Sequence, residues 1–225
     1  MKNIIDFLAA LQQNNNREWF EDNKAWYREV RGEFDGFVAR LIDGIAAFDS
    51  TVGGLAVKDC TYRIYRDTRF SKNKEPYKTY MGAYVCRNGK KSGYAGYYFH
   101  IEPSGKGVVG RHLLSAGIYL PEPDVLKSIR EEICDNGQRF TALIKRAKGF
   151  RLSEDSKLSR YPLGFPQDSS YAEYLKLKDV YLEKFMEESF LTAPGLLENT
   201  LKEFRTTVGF VALLNRAVDF VRGER

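Results

Sequence analysis

The chain has 225 residues, 43% hydrophobic and 29% charged, and its 35 basic and 30 acidic side chains give a formal net charge of +5. These values exclude a disordered or collagen-like chain and suffice for a core that closes without metal or disulfide. No window reaches the roughly 18 uninterrupted apolar residues of a membrane helix, the first residues turn polar too soon for a secretory leader, and Cys60, Cys86 and Cys134 are widely spaced. One cytoplasmic domain over residues 1–225 with free thiols and no membrane partner is therefore expected.

The first fifty residues predict helix. Ile4, Ile5, Leu8 and Leu11 form a short apolar stripe, three asparagines interrupt it, and Asn16 is placed to cap one long amphipathic helix carrying Trp19, Phe20, Trp26, Val30, Phe34, Leu41 and Ile45. From residue 57 onward, β-branched and aromatic residues with turn signals predict antiparallel strands near 57–66, 80–87, 93–102 and 108–119. Asn88-Gly89 fits a type I′ hairpin turn, and residues 103–107 a second, longer one. Pro121 and Pro123 end the sheet, and Asp124 caps a helix with Val125, Ile129 and Ile133, followed by a second helical stretch with Phe140 and Leu143. Residues 150–170 read as a loop with one short edge strand, 171–177 as helix and 180–190 as a further strand. Pro194 opens a C-terminal helix through Leu197, Leu201, Phe204, Val208 and Val211. Grouped strands between grouped helices predict an α+β fold, an antiparallel meander packed by N-terminal, middle and C-terminal helices.

The segment from Tyr62 to Tyr80 stands out, with Arg63, Arg66, Arg69, Lys72, Lys74 and Lys78 against only Asp67 and Glu75. A guanidinium offers a planar fork and an ammonium a mobile charge, so Arg63, Arg66, Arg69, Lys74, Tyr77 and Lys78 are candidates to converge on a phosphate or carboxylate. The opposing reading is an ion-pair network among Arg66, Asp67 and Arg69 that ties a loop to the sheet. Trp19, Asn23 and Tyr27 form an i, i+4, i+8 row, so Trp19, Asn23 and Lys24 are candidates to enclose the same ligand, although the aromatics also suit a core. His100 and Glu102 alternate on one strand and share a face. With Asp67 they are the candidate catalytic groups, and His100 is the best general acid or base because His112 is the only other histidine. These residues lack metal-ligand spacing, and phosphate-loop, dinucleotide, nucleophile-elbow and zinc motifs are absent, so neither metal nor cofactor is expected. Tyr94, Tyr97, Tyr98 and Phe99 read as core rather than as a platform for bases.

Three motifs in order, R-x-Y-R-D-T-R-F-S-K-x-K-x-P-Y-K-T from Arg63, Asn16-Arg17-Glu18-Trp19-Phe20 upstream and Gly96-Tyr97-Tyr98-Phe99-His100-Ile101-Glu102-Pro103 downstream, resemble the bacterial and fungal family called domain of unknown function 2461. Gly117-Ile118-Tyr119-Leu120-Pro121 and Phe165-Pro166 with Leu175-Lys176-Leu177-Lys178-Asp179 extend the resemblance over nearly the whole chain. It implies one compact α+β domain and carries no catalytic residues with it. The stretch between Pro103 and Gly117 is longer than the family's usual turn. Two functions remain open from sequence: a small anionic ligand held at the basic motif, with or without turnover, or a nucleic-acid or protein-binding module using the same bases, continued by Arg87, Lys90 and Lys91, as an open face.

Overall fold

The computed structural model describes residues 1–105 and 107–223. Its first elements are α1 (Lys2–Gln13), α2 (Arg17–Asp22) and α3 (Lys24–Ala46). Asn16 caps α2 as expected, its side chain accepting the Trp19 N–H at 3.0 Å. The expected single long helix is nevertheless broken at Asn23, where φ is −103° and ψ 18°. The Asn23 amide donates to the Trp19 carbonyl at 2.8 Å, a local bond that competes with continuation of the helix.

Residues 57–66 are a larger correction. They begin as a helical turn, α4 (Val57–Cys60), in which the Asp59 carboxylate accepts the Ala56 N–H at 3.2 Å. Beyond it stand single bridges, Thr61 to Ala83 and Tyr65 to Tyr77. The chain instead pairs with its own return: the Lys78 N–H donates to the Ile64 carbonyl at 2.8 Å and the Arg66 N–H to the Pro76 carbonyl at 2.9 Å. Pro76 has no N–H with which to extend a ladder.

The sheet consists of β1 (Met81–Cys86), β2 (Gly96–Ile101), β3 (His112–Ile118), β4 (Arg151–Leu152) and β5 (Val180–Met186) in the order β1-β2-β3-β5-β4, and every pair is antiparallel. Asn88 and Gly89 both have positive φ, 62° and 82°. The connection nevertheless occupies residues 87–95 rather than two, because the turn is tied sideways by a Lys90 N–H to Asp59 carbonyl bond of 2.9 Å. The second expected turn, residues 103–107, includes Lys106, which lies outside the described residues. The strand expected over 180–190 stops at Met186, and α7 (Glu188–Thr192) follows.

Helix α5 (Pro123–Arg146) is broken by a kink at Asn136, where φ is −127° and ψ 30°, so that the two expected helical stretches stand on either side of it, and Glu122 rather than Asp124 takes its N-cap position, with Pro123 in the first turn. After the short α6 (Ala172–Leu175), the C-terminal helix divides into α8 (Leu196–Arg205) and α9 (Val208–Arg222). The result is an α+β fold, an open antiparallel meander flanked by N-terminal, middle and C-terminal helices. Strand alternation sends Tyr97 and Phe99 into the core, where Phe99 meets Phe37 of α3 at 4.7 Å and Tyr97 meets Phe204 of α8 at 5.5 Å. Tyr84, Tyr98 and His100 point to the other face. Among the described residues no helix is long and apolar enough to cross a membrane.

Gly117 fixes the fit of β3 against β5. Its φ is 141°, and a Cβ there would lie 2.4 Å from the Val180 carbonyl oxygen and 2.5 Å from the Tyr181 Cα. Both obstacles are backbone, so Gly117→Ala is expected to cost about 2–3 kcal/mol in urea denaturation. A change inside about 0.5 kcal/mol, the range of neutral surface substitutions, would mean that the two strands separate freely at this point.

Candidate functional site

The return of the chain at residues 64–78 sets one wall of a cleft of about 340 Å³, and α2 sets the other. Arg17 and Glu21 line it from α2, with Tyr65, Arg66, Thr68, Pro76 and Tyr77 opposite. Its floor is aromatic: the Tyr77 ring, 4% exposed, stacks on Phe20 at 3.9 Å and 14° between planes, and Tyr65 lies 5.5 Å from Tyr77. Asn15 locks this contact, accepting the Tyr77 N–H at 3.1 Å and donating to its carbonyl at 3.0 Å. Burial raises the pKa of the Tyr77 hydroxyl, Tyr65 and Glu21 add to the rise, and Arg17 and Lys24 oppose it.

Arg66 is held by neutral acceptors, the Glu75 carbonyl at 3.1 Å and the Ser71 hydroxyl at 3.4 Å. The Glu75 carboxylate stands off at 3.8 Å. Arg17 has no ion-pair partner among the described residues, whereas Glu21 is paired with Lys24 at 2.6 Å. Two guanidiniums thus border the cleft, with the Glu75 carboxylate near one of them and Glu21 on the same lining.

The remaining members of the basic motif go elsewhere. Arg69 closes a bidentate pair on Asp67, with 3.0 and 2.7 Å contacts, an exposed self-contained unit of small energetic weight. Lys74 donates to the Thr68 carbonyl at 3.0 Å and so shapes the loop tip. Arg63 and Lys78 leave the cleft for the edge of the sheet. There the Lys78 ammonium donates to the Arg63 carbonyl at 3.0 Å and lies 5.5 and 5.9 Å from the rings of Tyr62 and Tyr80. Burial lowers its pKa, and Arg63 adds to the effect. Asn23 is the joint between two helices, and Trp19 packs on Phe7 at 5.9 Å; neither lines the cleft. Arg17 and Tyr65 were not singled out by the sequence reading, although both lie inside the quoted motifs.

His100 and Glu102 do share a face, 2% and 0% exposed, but they lie away from the cleft lining. The Glu102 carboxylate accepts the N–H groups of Val108, Val109 and Gly110 at 2.7 Å each and faces His100 Nε2 at 3.2 Å. With the imidazole proton on Nε2, Nδ1 accepts the Tyr98 hydroxyl at 2.8 Å. The Glu102 N–H donates in turn to His112 Nδ1 at 3.3 Å. Burial pushes the Glu102 carboxyl up, yet His100 and the three N–H donors outweigh it and hold the group below its ordinary 4.5. The long β2–β3 connection therefore folds back as a clamp on a buried carboxylate. Among the described residues, no three His, Cys, Asp or Glu side chains converge as metal ligands.

The model of a family described as a conserved hypothetical protein, DUF2461, matches residues 3–212. The chain belongs to the DUF2461 family. That match takes in the cleft, the clamp and all five strands. No curated protein and no solved structure matches the chain.

Proposed function

We propose that this DUF2461 protein binds a small ligand bearing a phosphate or carboxylate in the cleft between α2 and residues 64–78. The observation that carries the reading is that Arg66, hydrogen-bonded to neutral acceptors with the Glu75 carboxylate at 3.8 Å, and Arg17, without an ion-pair partner among the described residues, both border a cleft of about 340 Å³, a volume within the usual range for small-ligand sites. Arg66 supplies a fixed fork, Arg17 a mobile one, and the half-exposed Tyr65 an aromatic wall for the rest of the ligand. Lys24 sits at the rim through its bond to Glu21. The residues brought together here support binding; His100, Glu102 and Asp67 stand outside the cleft and supply no chemistry to it. Cys60, Cys86 and Cys134 are free, which suits a cytoplasmic setting.

Thermal shift against inorganic phosphate, citrate and mononucleotides tests this. A ligand at a hundred times its Kd stabilises by about 2.7 kcal/mol, a rise on the order of 5–10 °C for a chain of this size. Arg66→Ala is expected to remove the rise, and Arg66→Lys to recover only part of it, because an ammonium cannot reproduce the fork. An undiminished rise in Arg66→Ala, or no response from the native protein to any of these anions, would rule the cleft out.

A further inference from the structure

On the footing of the anion site proposed above, we infer that its ligand is dipolar, a small molecule that carries an ammonium group beside its phosphate or carboxylate, and that Glu21 selects it. The cleft lining holds charge of both signs. Arg17 and Arg66 are its cations, and Glu21 is the one carboxylate among the described lining residues. Glu75, the acid near Arg66, stands outside the lining, and its carboxylate accepts the Asn73 amide at 2.9 Å. A wall built for a plain anion gains nothing from an acid, because like charges repel at short range.

Helix α2 sets the two signs side by side. Arg17 and Glu21 are an i, i+4 pair, one turn apart, with Cβ atoms about 5–6 Å from each other. Base before acid is the weaker order for such a pair, and Glu21 turns instead across the Asn23 joint to Lys24 at 2.6 Å. Arg17 keeps no ion-pair partner among the described residues, so α2 presents a separate plus and minus to the cleft. The Lys24 contact does not consume Glu21. It uses Oε2 alone, a carboxylate accepts about four bonds, and a pair this exposed contributes little. Burial is the main cause of the raised Tyr77 pKa, but Tyr65 and Glu21 add to the rise while Arg17 and Lys24 oppose it. Charges of both signs therefore stand around that one hydroxyl.

Tyr65 supplies the seat for the ammonium group. Its ring is 46% exposed and is backed by Tyr77 at 5.5 Å and Phe20 at 6.0 Å. Among the described residues no cation lies over it, whereas the rings of Tyr62, Tyr80 and Phe185 are each covered by a lysine or an arginine. An ammonium on the ring face is attracted by the ring quadrupole and has N–H groups to give to Glu21. Lys24 shows what this corner accepts: Glu21 raises its pKa, and Tyr65 adds a smaller push the same way. The acidic end of the ligand then meets Arg66 and Arg17, and its ammonium end meets Glu21 and Tyr65. Ends a few bonds apart, as in aminoalkyl phosphates and short amino acids, suit charges set one helical turn apart.

The test is isothermal titration calorimetry of the full chain with two matched pairs, O-phosphoethanolamine against ethyl phosphate and γ-aminobutyrate against butyrate. At about pH 8 both phosphates are dianions, their second pKa being about 6, so each pair differs by the ammonium group. In whichever pair the cleft accepts, the aminated member is expected to bind about tenfold more tightly. Glu21→Gln should bring the two members within about twofold of each other, with the plain anion binding as well as before or better. Arg66→Ala should weaken both members alike, and Lys127→Gln, an exposed charge on α5, should leave both Kd values alone. The melting curve of each variant checks that it is folded. Equal affinity within a pair, or an ammonium preference that survives in folded Glu21→Gln, would overturn the dipolar ligand while leaving the anion site standing. Failure of both pairs to bind would overturn the two together. Co-sedimentation with vesicles of equal parts phosphatidylcholine and phosphatidylethanolamine, lost in Arg66→Ala, would name a lipid head group as the source of the dipole, and its absence beside binding of the free compound would name a soluble molecule; either supports the ligand class.

Discussion

Glu102→Ala is expected to cost about 3–5 kcal/mol of folding stability at neutral pH, read from the urea midpoint at constant slope. The substitution leaves three backbone N–H groups, those of Val108, Val109 and Gly110, and the His100 Nε2 proton facing a hole at a position that is 0% exposed. Each unpaired buried donor costs about 1–3 kcal/mol, offset in part by whatever water enters. Glu102→Gln keeps the volume but turns an NH₂ toward donors, so most of the loss should persist. A loss below about 1 kcal/mol for both variants would show that the loop finds its stability elsewhere.

The same carboxylate gives the native protein an acid-sensitive component. Because its folded pKa lies below the ordinary 4.5, the unfolded chain binds more protons than the folded one as the pH falls. The stabilisation is fully present above 4.5 and is lost as the pH drops through the folded value. His112 works in the same direction but earlier. Burial holds its pKa below 6.5, and its Nδ1 must stay unprotonated to accept the Glu102 N–H, so the unfolded chain takes up the proton first as the pH drops below 6.5. Urea midpoints should therefore decline from about 6.5 downward and more steeply below 4.5, and Glu102→Gln should remove the lower part of that decline while leaving the upper part.

Much of this was legible in the residues, and the reasons for the rest are local. The β-branched and aromatic residues between turn signals announced the strands of the sheet and hence the α+β class, and the shared face of His100 and Glu102 followed from their spacing. What no side-chain pattern could announce is that the Glu102 carboxylate is occupied by main-chain donors, since N–H groups carry no residue signature. Tyr98 was within reach of the same argument, two residues before His100 on the same face, but a tyrosine in an aromatic run reads as core, as Tyr97 and Phe99 indeed are. The basic motif looked like one cluster because it is contiguous in sequence. Pairing of Ile64 and Arg66 with Pro76 and Lys78 sends its members to a cleft, a loop tip and a sheet edge. Arg17 joins Arg66 through tertiary packing of α2, which composition cannot foresee.

That packing depends on one ring, and Phe20→Ala is expected to show it. Phe20 is 0% exposed, stacks on Tyr77 at 3.9 Å, and meets Tyr27 at 5.0 Å and Tyr65 at 6.0 Å, so it joins α2 and α3 to both arms of the 64–78 return. Truncation should cost about 3–5 kcal/mol from lost transfer and cavity terms, more than the removal of any single cation nearby. Phe20→Leu keeps most of the volume and should cost about 1–2 kcal/mol, enough to leave a folded protein in which the flat seat of Tyr77 is gone. If the cleft binds an anion through Arg66 and Arg17 held at a fixed separation, the phosphate-induced rise in melting temperature should shrink in Phe20→Leu although no charge has been touched. An undiminished rise would mean that the guanidiniums find the anion by their own flexibility, and that the aromatic floor serves the fold alone.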